Sequence, residues 1–223
     1  MQEAITIKKL PIFLDSILIA MHKEILTPEQ VNLLPLVKRF ARDFYLVGGT
    51  AIALQIGHRQ SIDFDLFTIK PFENNKIKRT LQKADKIDRV LRDEKGQYTI
   101  ILAGVHITFF EYPFRVKHKE KFDSSIAMPD LLTLAAMKAY ALGRRAKWKD
   151  YVDLYFIMSK YHGIAGIIER AESIFGKEFN AKLFRSQLSY FNDISYSEEV
   201  IYMPGFEVKD EAVKKGLLDF SVQ

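Results

Sequence analysis

Two aspartates separated by one residue are the groups in this chain best suited to metal chemistry. Asp63 and Asp65 lie in a stretch that alternates polar and apolar residues, with Ile62, Phe64 and Leu66 between and beside them. Such alternation is typical of a β-strand, in which residues two apart project from one face. We expect the three apolar side chains to fill the buried face. The paired carboxylates are hard oxygen ligands suited to Mg²⁺ or Mn²⁺, and the alternative is an edge strand with solvated acids.

A pair of glycines precedes the aspartates and could hold a phosphate. Gly48 and Gly49 follow the apolar run 44–47, and a helical pattern begins at Thr50. Glycines at a strand-to-helix turn let backbone N–H groups approach a phosphate, and the helix N-terminus adds partial positive charge. The Thr50 hydroxyl is expected to be a further donor. An isolated Gly-Gly is also common in structural turns, but thirteen residues separate Gly49 from Asp63, enough for a helix and a return turn.

A lysine and two aspartates further along the chain form a second group of candidates. Lys138 lies four residues from Leu134 and from Leu142, on the apolar stripe of a predicted helix. It could face inward and meet triphosphate oxygens as a point charge, or it could snorkel at the edge of the stripe. We expect Lys138→Met to keep or raise stability, because the stripe gains an apolar side chain. Asp150 and Asp153 lie in the first turn of the next helix, where acids are favoured by the dipole.

Together the two groups resemble known enzymes. An apolar residue, two glycines, a gap and Asp-x-Asp are similar to the signature of the nucleotidyltransferase superfamily typified by DNA polymerase beta. The closer resemblance is to the AbiEii-type toxin family of bacterial abortive-infection and toxin–antitoxin systems. The segments that carry it are Gly48-Gly49-Thr50-Ala51, Gly57-His58-Arg59, Ser61-Ile62-Asp63-Phe64-Asp65-Leu66-Phe67, Lys138-Ala139-Tyr140-Ala141-Leu142, Arg145 and Lys149-Asp150-Tyr151-Val152-Asp153-Leu154.

The resemblance implies a metal-dependent nucleotidyltransferase that moves a nucleotidyl group from an NTP to an acceptor. It implies that Arg59 and Ser61 join the glycines and Thr50 in binding the nucleotide. It also implies that Lys138 is catalytic and that Asp150 orients it, while Asp153 is structural. The acceptor that the family favours is RNA, such as tRNA ends, with an antitoxin protein as partner. The alternatives are a catalytically degenerate nucleotide- or RNA-binding module and a small-molecule, antibiotic-type nucleotidyltransferase.

One position departs from the superfamily pattern. The superfamily usually has a third carboxylate on a neighbouring strand, between apolar residues, and Thr108 stands there instead. Glu111 is three residues further on, so in a regular strand it points to the opposite face. We therefore expect any activity to use two carboxylates, unless a β-bulge near Phe109-Phe110 turns Glu111 inward.

Composition and charge narrow the class of protein. The chain has no cysteine, which excludes disulfides, thiolate metal ligands and cysteine nucleophiles. Its net charge of +5 favours polyanionic partners. A basic cluster near Trp148 could contact nucleic acid or be a solvated helix end; its members are Lys138, Arg144, Arg145, Lys147 and Lys149. The apolar stretch 10–21 is interrupted by Asp15 and is shorter than the about 20 residues of a membrane span, so we expect a cytoplasmic protein.

The predicted elements place these residues on an α+β fold. Thr27, Pro28 and Gln30 form the start signal of a helix. Further predicted helices cover 5–26, 50–56, 71–84, 131–145, 149–161, 164–175, 181–191 and 211–220. Predicted strands cover 44–47, 61–68, 87–92, 98–102 and 105–110. Strands followed by helices indicate a polymerase-beta-like core with a mixed sheet in domain 1–125 and a helical C-terminal subdomain in 126–223.

Overall fold

A mixed five-stranded sheet forms the centre of the protein. The computed structural model describes residues 21–123 and 125–223. The strands of the sheet are β1 (Tyr45–Val47), β2 (Asp63–Thr68), β3 (Ile87–Glu94), β4 (Gln97–Leu102) and β5 (Val105–Glu111). Their order is β1-β2-β5-β4-β3, in which β2 and β5 are parallel and the other neighbours are antiparallel. The strand pair β2–β5 in the middle of the sheet carries the predicted metal ligands.

Helices flank the sheet and make up most of the second half of the chain. They are α1 (Pro28–Lys38), α2 (Gly48–Ile56), α3 (Asn74–Gln82), α4 (Leu131–Leu142), α5 (Trp148–Lys160), α6 (Ile164–Phe175), α7 (Ala181–Leu188) and α8 (Asp210–Ser221). Within the described residues, no helix is long and apolar enough to cross a membrane. The mixture of a mixed central sheet and many helices is the predicted α+β class.

Local sequence signals explain where the first helix begins. The Gln30 N–H donates to Thr27 Oγ1 at 3.3 Å, and Gln30 Oε1 accepts from the Thr27 N–H at 3.1 Å, which closes the predicted capping box. Pro28 occupies the first turn, where its missing N–H costs nothing. The helix expected over 5–26 lies largely outside the described residues, and its last residues, Lys23–Ile25, form a 3-10 turn instead.

Two parts of the fold differ from the expectation. Phe64 and Leu66 are buried as predicted, but Ile62 is 49% exposed, because β2 begins at Asp63 and the strand alternation does not extend back to residue 62. A hairpin of β6 (Glu120–Phe122) and β7 (Ile126–Met128) was not predicted. Its strands have three residues each, too few to show a period of two. The domain boundary predicted near residue 125 falls in this hairpin, and the division into two domains stays a prediction.

A long connection between α7 and α8 runs back across the molecule; we call residues 189–209 the strap. Trp148 N–H donates to Ser195 O at 3.0 Å, which joins the strap to the start of α5. Gln60 N–H donates to Ile201 O at 2.8 Å, which joins it to the segment before β2. The strap therefore connects the two regions of the chain that carry the candidate site residues.

Candidate active site

The glycine turn is packed directly against the second aspartate. β1 leads into α2 at Gly48, whose φ of +73° lies in the left-handed region. A Cβ at Gly48 would lie 2.2 Å from Asp65 Oδ2, so neither the backbone conformation nor the space allows a side chain. Val47, the N-cap residue of α2, provides no side-chain cap. The first N–H groups of α2 are therefore available to an anion beside Asp65.

The second glycine is held from behind by Arg59. A Cβ at Gly49 would lie 2.4 Å from Arg59 Nη2. Arg59 is buried, and its guanidinium is a bidentate donor to Asp153, with Nε at 2.7 Å and Nη2 at 2.9 Å. Sequence reasoning placed Arg59 on a phosphate, whereas the structure places it behind the turn in an ion pair. A direct phosphate contact stays a prediction, and its visible role is to support Gly49.

Thr50 and Ser61 form a buried link between α2 and the strand after it. Thr50 Oγ1 donates to the backbone oxygen of Asp63, which can only accept, and lies 2.8 Å from the hydroxyl of Ser61. Both side chains are buried. The hydroxyl is bonded inside the protein, so the predicted phosphate contact would have to replace one of these bonds, and that contact stays a prediction. Nucleotide contacts of Thr50 through its backbone and of Ser61 stay predictions.

Asp63 and Asp65 share one face of β2, as the alternation predicted. The Asp63 side chain is 40% exposed and Asp65 is partly buried. Burial, together with the charge of Asp63, raises the pKa of Asp65 to about 6. A carboxylate placed where its charge is disfavoured is a group that a divalent cation would stabilise. Two carboxylates beside a phosphate-binding turn fit a magnesium ion, which is usually held by one or two protein carboxylates with substrate and water as its other ligands.

Among the described residues, neither strand next to β2 adds a third carboxylate to this pair. The parallel register places Thr108 beside Asp65 and His106 beside Asp63, while Glu111 is paired with Thr68 on the opposite face. Between β5 and its neighbours the register shows no bulge, and Glu111 packs against Gly96 instead. Across residues 21–123 and 125–223, no group of three or more His, Cys, Asp and Glu side chains could hold a metal ion. The two-carboxylate geometry expected from strand parity is what the structure has.

Lys138 lies inside the protein between two aspartates. Its side chain is 7% exposed, and its ammonium contacts Asp150 Oδ1 and, at 3.0 Å, Asp153 Oδ2. Asp150 Oδ2 also accepts from Arg145 Nε at 3.2 Å. The snorkelling alternative is therefore excluded by burial. The resemblance implied that Asp150 orients Lys138, and the two side chains are in contact; the catalytic roles themselves stay predictions.

A buried ion network extends from Lys138 to the segment before β2. His58 Nε2 lies 2.7 Å from Asp153 Oδ1, the same oxygen that accepts from Arg59 Nε. Burial alone would raise the pKa of Asp153, but Arg59 and Lys138 hold it well below its usual range. Burial lowers the pKa of His58, and its Nδ1 has no hydrogen-bond partner among residues 21–123 and 125–223. His58 is therefore a neutral donor to Asp153 through Nε2, since protonated Nδ1 would be a buried donor without an acceptor.

Four of the five residues of the basic cluster, all except Arg144, line a polar cavity. A cavity of about 200 Å³ is lined by both metal-ligand candidates, Lys138 and the lysines at 147 and 149. On the strap, Glu198 Oε2 lies 3.4 Å from Lys149 Nζ, and Glu198 Oε1 accepts from Lys147 Nζ at 2.5 Å. Trp148 is 4% exposed, so its ring is not available to nucleic acid, and contact by the surrounding basic residues stays a prediction.

Glu198 was not identified from the sequence. It lies in the strap, where residues follow neither a helical nor a strand period. Burial raises the pKa of Glu198, but the hydrogen bond and charge of Lys147 lower it more, so the carboxylate stays ionised. Only the return of the strap to the start of α5 brings this acid to the two lysines.

Comparison with known proteins agrees with the geometry. Residues 36–117, which contain the glycine turn and both aspartates, match the family described as "Nucleotidyl transferase AbiEii toxin, Type IV TA system". The uncharacterized protein aq_aa25 of Aquifex aeolicus is 32% identical over 185 residues, which cover 80% of this chain and 88% of that protein. The chain belongs to the AbiEii nucleotidyltransferase toxin family. The family resemblance seen in the sequence is thereby confirmed.

Solved structures show that the AbiEii-family chain has the expected fold. The nucleotidyltransferase toxin MenT4 from Mycobacterium tuberculosis H37Rv is similar with a TM-score of 0.59 at 12% identity, over 86% of this chain and 81% of that one. A putative nucleotidyltransferase from H. pylori is similar with a TM-score of 0.55 at 15% identity, over 87% of this chain and 92% of that one. The predicted polymerase-beta-like nucleotidyltransferase fold is confirmed.

Proposed function

We propose that this AbiEii-family protein transfers a nucleotidyl group from an NTP to an acceptor hydroxyl, with one Mg²⁺ ion at Asp63 and Asp65. The observation that carries the proposal is the close packing of the glycine turn on the acid, where a Cβ at Gly48 would lie 2.2 Å from Asp65 Oδ2. A triphosphate bound at the start of α2 would therefore lie beside both carboxylates. Mn²⁺ has the same preference for oxygen ligands and is expected to substitute.

The residues of the chain would bind and orient the triphosphate. The free N–H groups of α2 would hold its oxygens, while Lys138 and Arg145 would add positive charge from the opposite wall. Lys138, Arg145 and Arg59 face two carboxylates, Asp150 and Asp153, which leaves one positive charge in the network. A Mg²⁺ ion at Asp63 and Asp65 would neutralise the negative charge that develops on the departing pyrophosphate.

The proposed transfer exchanges one phosphorus–oxygen bond for another. The acceptor hydroxyl oxygen forms a bond to the α-phosphorus, and the bond from that phosphorus to the bridging oxygen breaks. Pyrophosphate leaves with the electron pair, and the hydroxyl proton passes to water. The protein contributes chiefly position and charge, as is usual for phosphoryl chemistry.

RNA is the acceptor that we propose, for example the end of a tRNA. Lys147 and Lys149 line the polar cavity together with Asp63 and Asp65, and they could bind backbone phosphates next to the reacting hydroxyl. The net charge of +5 supports a polyanionic acceptor. Membership of a toxin family described as part of a toxin–antitoxin system supports an antitoxin protein as partner.

One observation favours a second candidate, a binding module without catalysis. Thr108 occupies the position beside Asp65 where the superfamily usually has its third carboxylate. A protein with two carboxylates could still bind a metal–NTP complex and RNA but transfer nothing. This alternative and the small-molecule alternative make different predictions in one assay.

The deciding experiment incubates the protein with each α-labelled NTP, Mg²⁺ and total RNA, or with a small-metabolite extract. Label on RNA that disappears with EDTA and in Asp63→Asn supports the proposal. Label on small metabolites alone would replace RNA with a small-molecule acceptor. Stabilisation by an NTP without transfer in either mixture would favour the binding module. A ligand present at 100 times its dissociation constant adds about 2.7 kcal/mol to the free energy of unfolding, which a thermal shift detects.

A further inference from the structure

A large cavity opens beside the proposed phosphate site and continues away from it. It measures about 680 Å³ and lies between the sheet and α4, with Gly48, Asp65 and Lys138 at one end. The rest of its lining is rich in aromatic rings, and we call this part the aromatic bay. Its rings are Phe67, Phe110, Tyr112, Phe114 and Tyr140. A molecule whose charged end lay at the glycine turn would have its other end in this bay.

Strand geometry explains why the rings follow the acids. Phe67 comes two residues after Asp65 on β2, and Phe110 comes two residues after Thr108 on β5, so all four share one face of the sheet. Phe67 and Phe110 are register partners, with ring centroids 5.2 Å apart. The bay therefore begins about 7 Å along the strands from the carboxylate pair.

The bay has aromatic surface that the protein leaves partly uncovered. Phe67, Phe110 and Phe114 are each only partly buried, whereas the Tyr140 ring is already stacked on Phe175. Their contacts with one another are mostly tilted or edge-on, for example Phe114 and Tyr140 at 5.3 Å and 79°. Such surface costs free energy in water and is typical of a ligand site rather than of a finished core.

Polar groups stand at the rim of the bay. The Arg92 guanidinium donates to Gln97 Oε1 at 3.1 Å, and both residues line the cavity. Arg144 lies over the Tyr140 ring with its guanidinium carbon 3.8 Å from the centroid. A ligand for this site thus has flat apolar faces and a polar edge that accepts hydrogen bonds.

We propose that the aromatic bay binds the nucleoside of the NTP, an inference that rests on the proposed function. A nucleobase has a π-face that stacks on aromatic rings and an edge that Arg92 and Gln97 could contact. Continuity of the bay with the glycine turn through Gly48 and Asp65 is what distinguishes a nucleotide from an unrelated apolar ligand. Base selection would then depend on the bay, while triphosphate binding would depend on the glycine turn.

The test compares two ligands that share the triphosphate but differ in the nucleoside. Calorimetry would measure binding of Mg²⁺–NTP and of Mg²⁺–tripolyphosphate to the wild type, Phe110→Ala and Ala141→Trp. The first variant removes a stacking ring, and the second fills the bay from α4 at a partly exposed position that leaves the core intact. Phe72→Ala is the matched control, since Phe72 is also partly buried but packs on Phe44 outside the bay.

Both bay variants are expected to weaken NTP binding about tenfold or more, with tripolyphosphate affinity changed by less than about twofold. Phe72→Ala should change neither. Unchanged NTP binding in folded bay variants would overturn the inference but leave the proposed function standing. If the variants bound NTP normally but lost transfer, the inference would also be overturned, and the bay would be assigned to the acceptor. Equal loss of both ligands would also count against a nucleoside site. Wild-type protein that bound neither ligand would instead remove the proposed function itself.

Discussion

The ammonium group of Lys138 is buried, so Lys138→Met should lower stability and not keep or raise it, as the apolar stripe alone had suggested. Lys138→Met would leave Asp150 and Asp153 without one of their cations in a buried site. Breaking a buried pair from one side usually costs about 3–5 kcal/mol, and we expect about 3 because Arg145 and Arg59 remain. Urea denaturation at pH 7 would measure the loss.

The matched control is an exposed lysine of the same charge. Lys182→Met on α7 removes a cation from the surface and should change the free energy of unfolding by less than about 0.5 kcal/mol. If Lys138→Met were as stable as the wild type, the buried ion pairs would contribute nothing net, and the original expectation would stand.

Asp63 and Asp65 contribute charge rather than packing. Asp63→Asn and Asp65→Asn keep the size of each side chain, so we expect both variants to fold. Each removes the repulsion between two carboxylates on one face, so the melting temperature should be at or above that of the metal-free wild type. Transfer should be abolished, because the proposed metal loses a charged ligand. If either variant kept more than about a tenth of the wild-type transfer rate, the activation barrier would have changed by less than about 1.4 kcal/mol. The assignment of Asp63 and Asp65 as metal ligands would then be wrong.

At the scale of elements, the register between β2 and β5 decides which acid can serve the site. Glu111 is on the face opposite Asp65, so Glu111→Ala is expected to cost less than about tenfold in transfer rate, or about 1.4 kcal/mol of barrier. Thr108→Asp should tighten Mg²⁺ binding, because it adds a carboxylate beside Asp65. Isothermal titration calorimetry with Mg²⁺ would measure the change in metal affinity, and Thr108→Asn is the uncharged control. Loss of activity in Glu111→Ala equal to that in Asp63→Asn would mean that β5 is rearranged in the active protein.

The strap carries an acid that competes with phosphate for two lysines. Glu198→Gln releases Lys147 and Lys149 from their carboxylate, so RNA affinity should rise. The dependence of log K on log salt should steepen by about 0.7 for each new phosphate contact with single-stranded RNA. The neighbouring acid Glu199 is exposed, and Glu199→Gln removes the same charge from the same segment. Equal effects of the two substitutions in a filter-binding assay would show general electrostatics and not release of the lysines.

At the scale of the whole molecule, the buried ion network joins the sheet to the helices. His58 and Arg59 come from the segment before β2, Lys138 from α4 and Asp153 from α5. Burial lowers the pKa of His58 below its ordinary value, although Asp153 partly opposes the shift. The unfolded chain therefore binds a proton near pH 6.5 that the folded protein does not take up.

Acid should weaken this junction in a defined pH range. Because the unfolded state binds the additional proton of His58, this group lowers the free energy of unfolding as the pH decreases from about 7.5 to 5.5, by at most about 1.4 kcal/mol per pH unit. Asp65 has the opposite effect in the same range, because its pKa is raised to about 6 and the folded protein takes up its proton first. Asp153 adds nothing in this range, since the stability from its lowered pKa is lost only below about pH 4. In urea denaturation, the free energy of unfolding of the wild type relative to His58→Gln should therefore decrease as the pH falls across this range. Parallel profiles would mean that His58 is protonated in the folded protein.

The sequence alone determined the features that depend on near neighbours. The capping box at Thr27 joins residues three apart, and the common face of Asp63 and Asp65 follows from the two-residue period of a strand. The absence of a third carboxylate could be derived from the same period, which placed Glu111 on the wrong face. These signals are local, so the backbone periodicity of a single element is enough to interpret them.

Tertiary structure decided what each polar side chain touches. The bond between His58 and Asp153 joins residues 95 apart along the chain, and periodicity could not show that Lys138 is buried among partners rather than at the edge of a stripe. The partners of the Thr50 hydroxyl and of Glu198 also lie on other elements, so the local sequence could not predict them. An amphipathic pattern tells which face of an element is inward, but the charge that it meets there depends on how distant elements pack against one another.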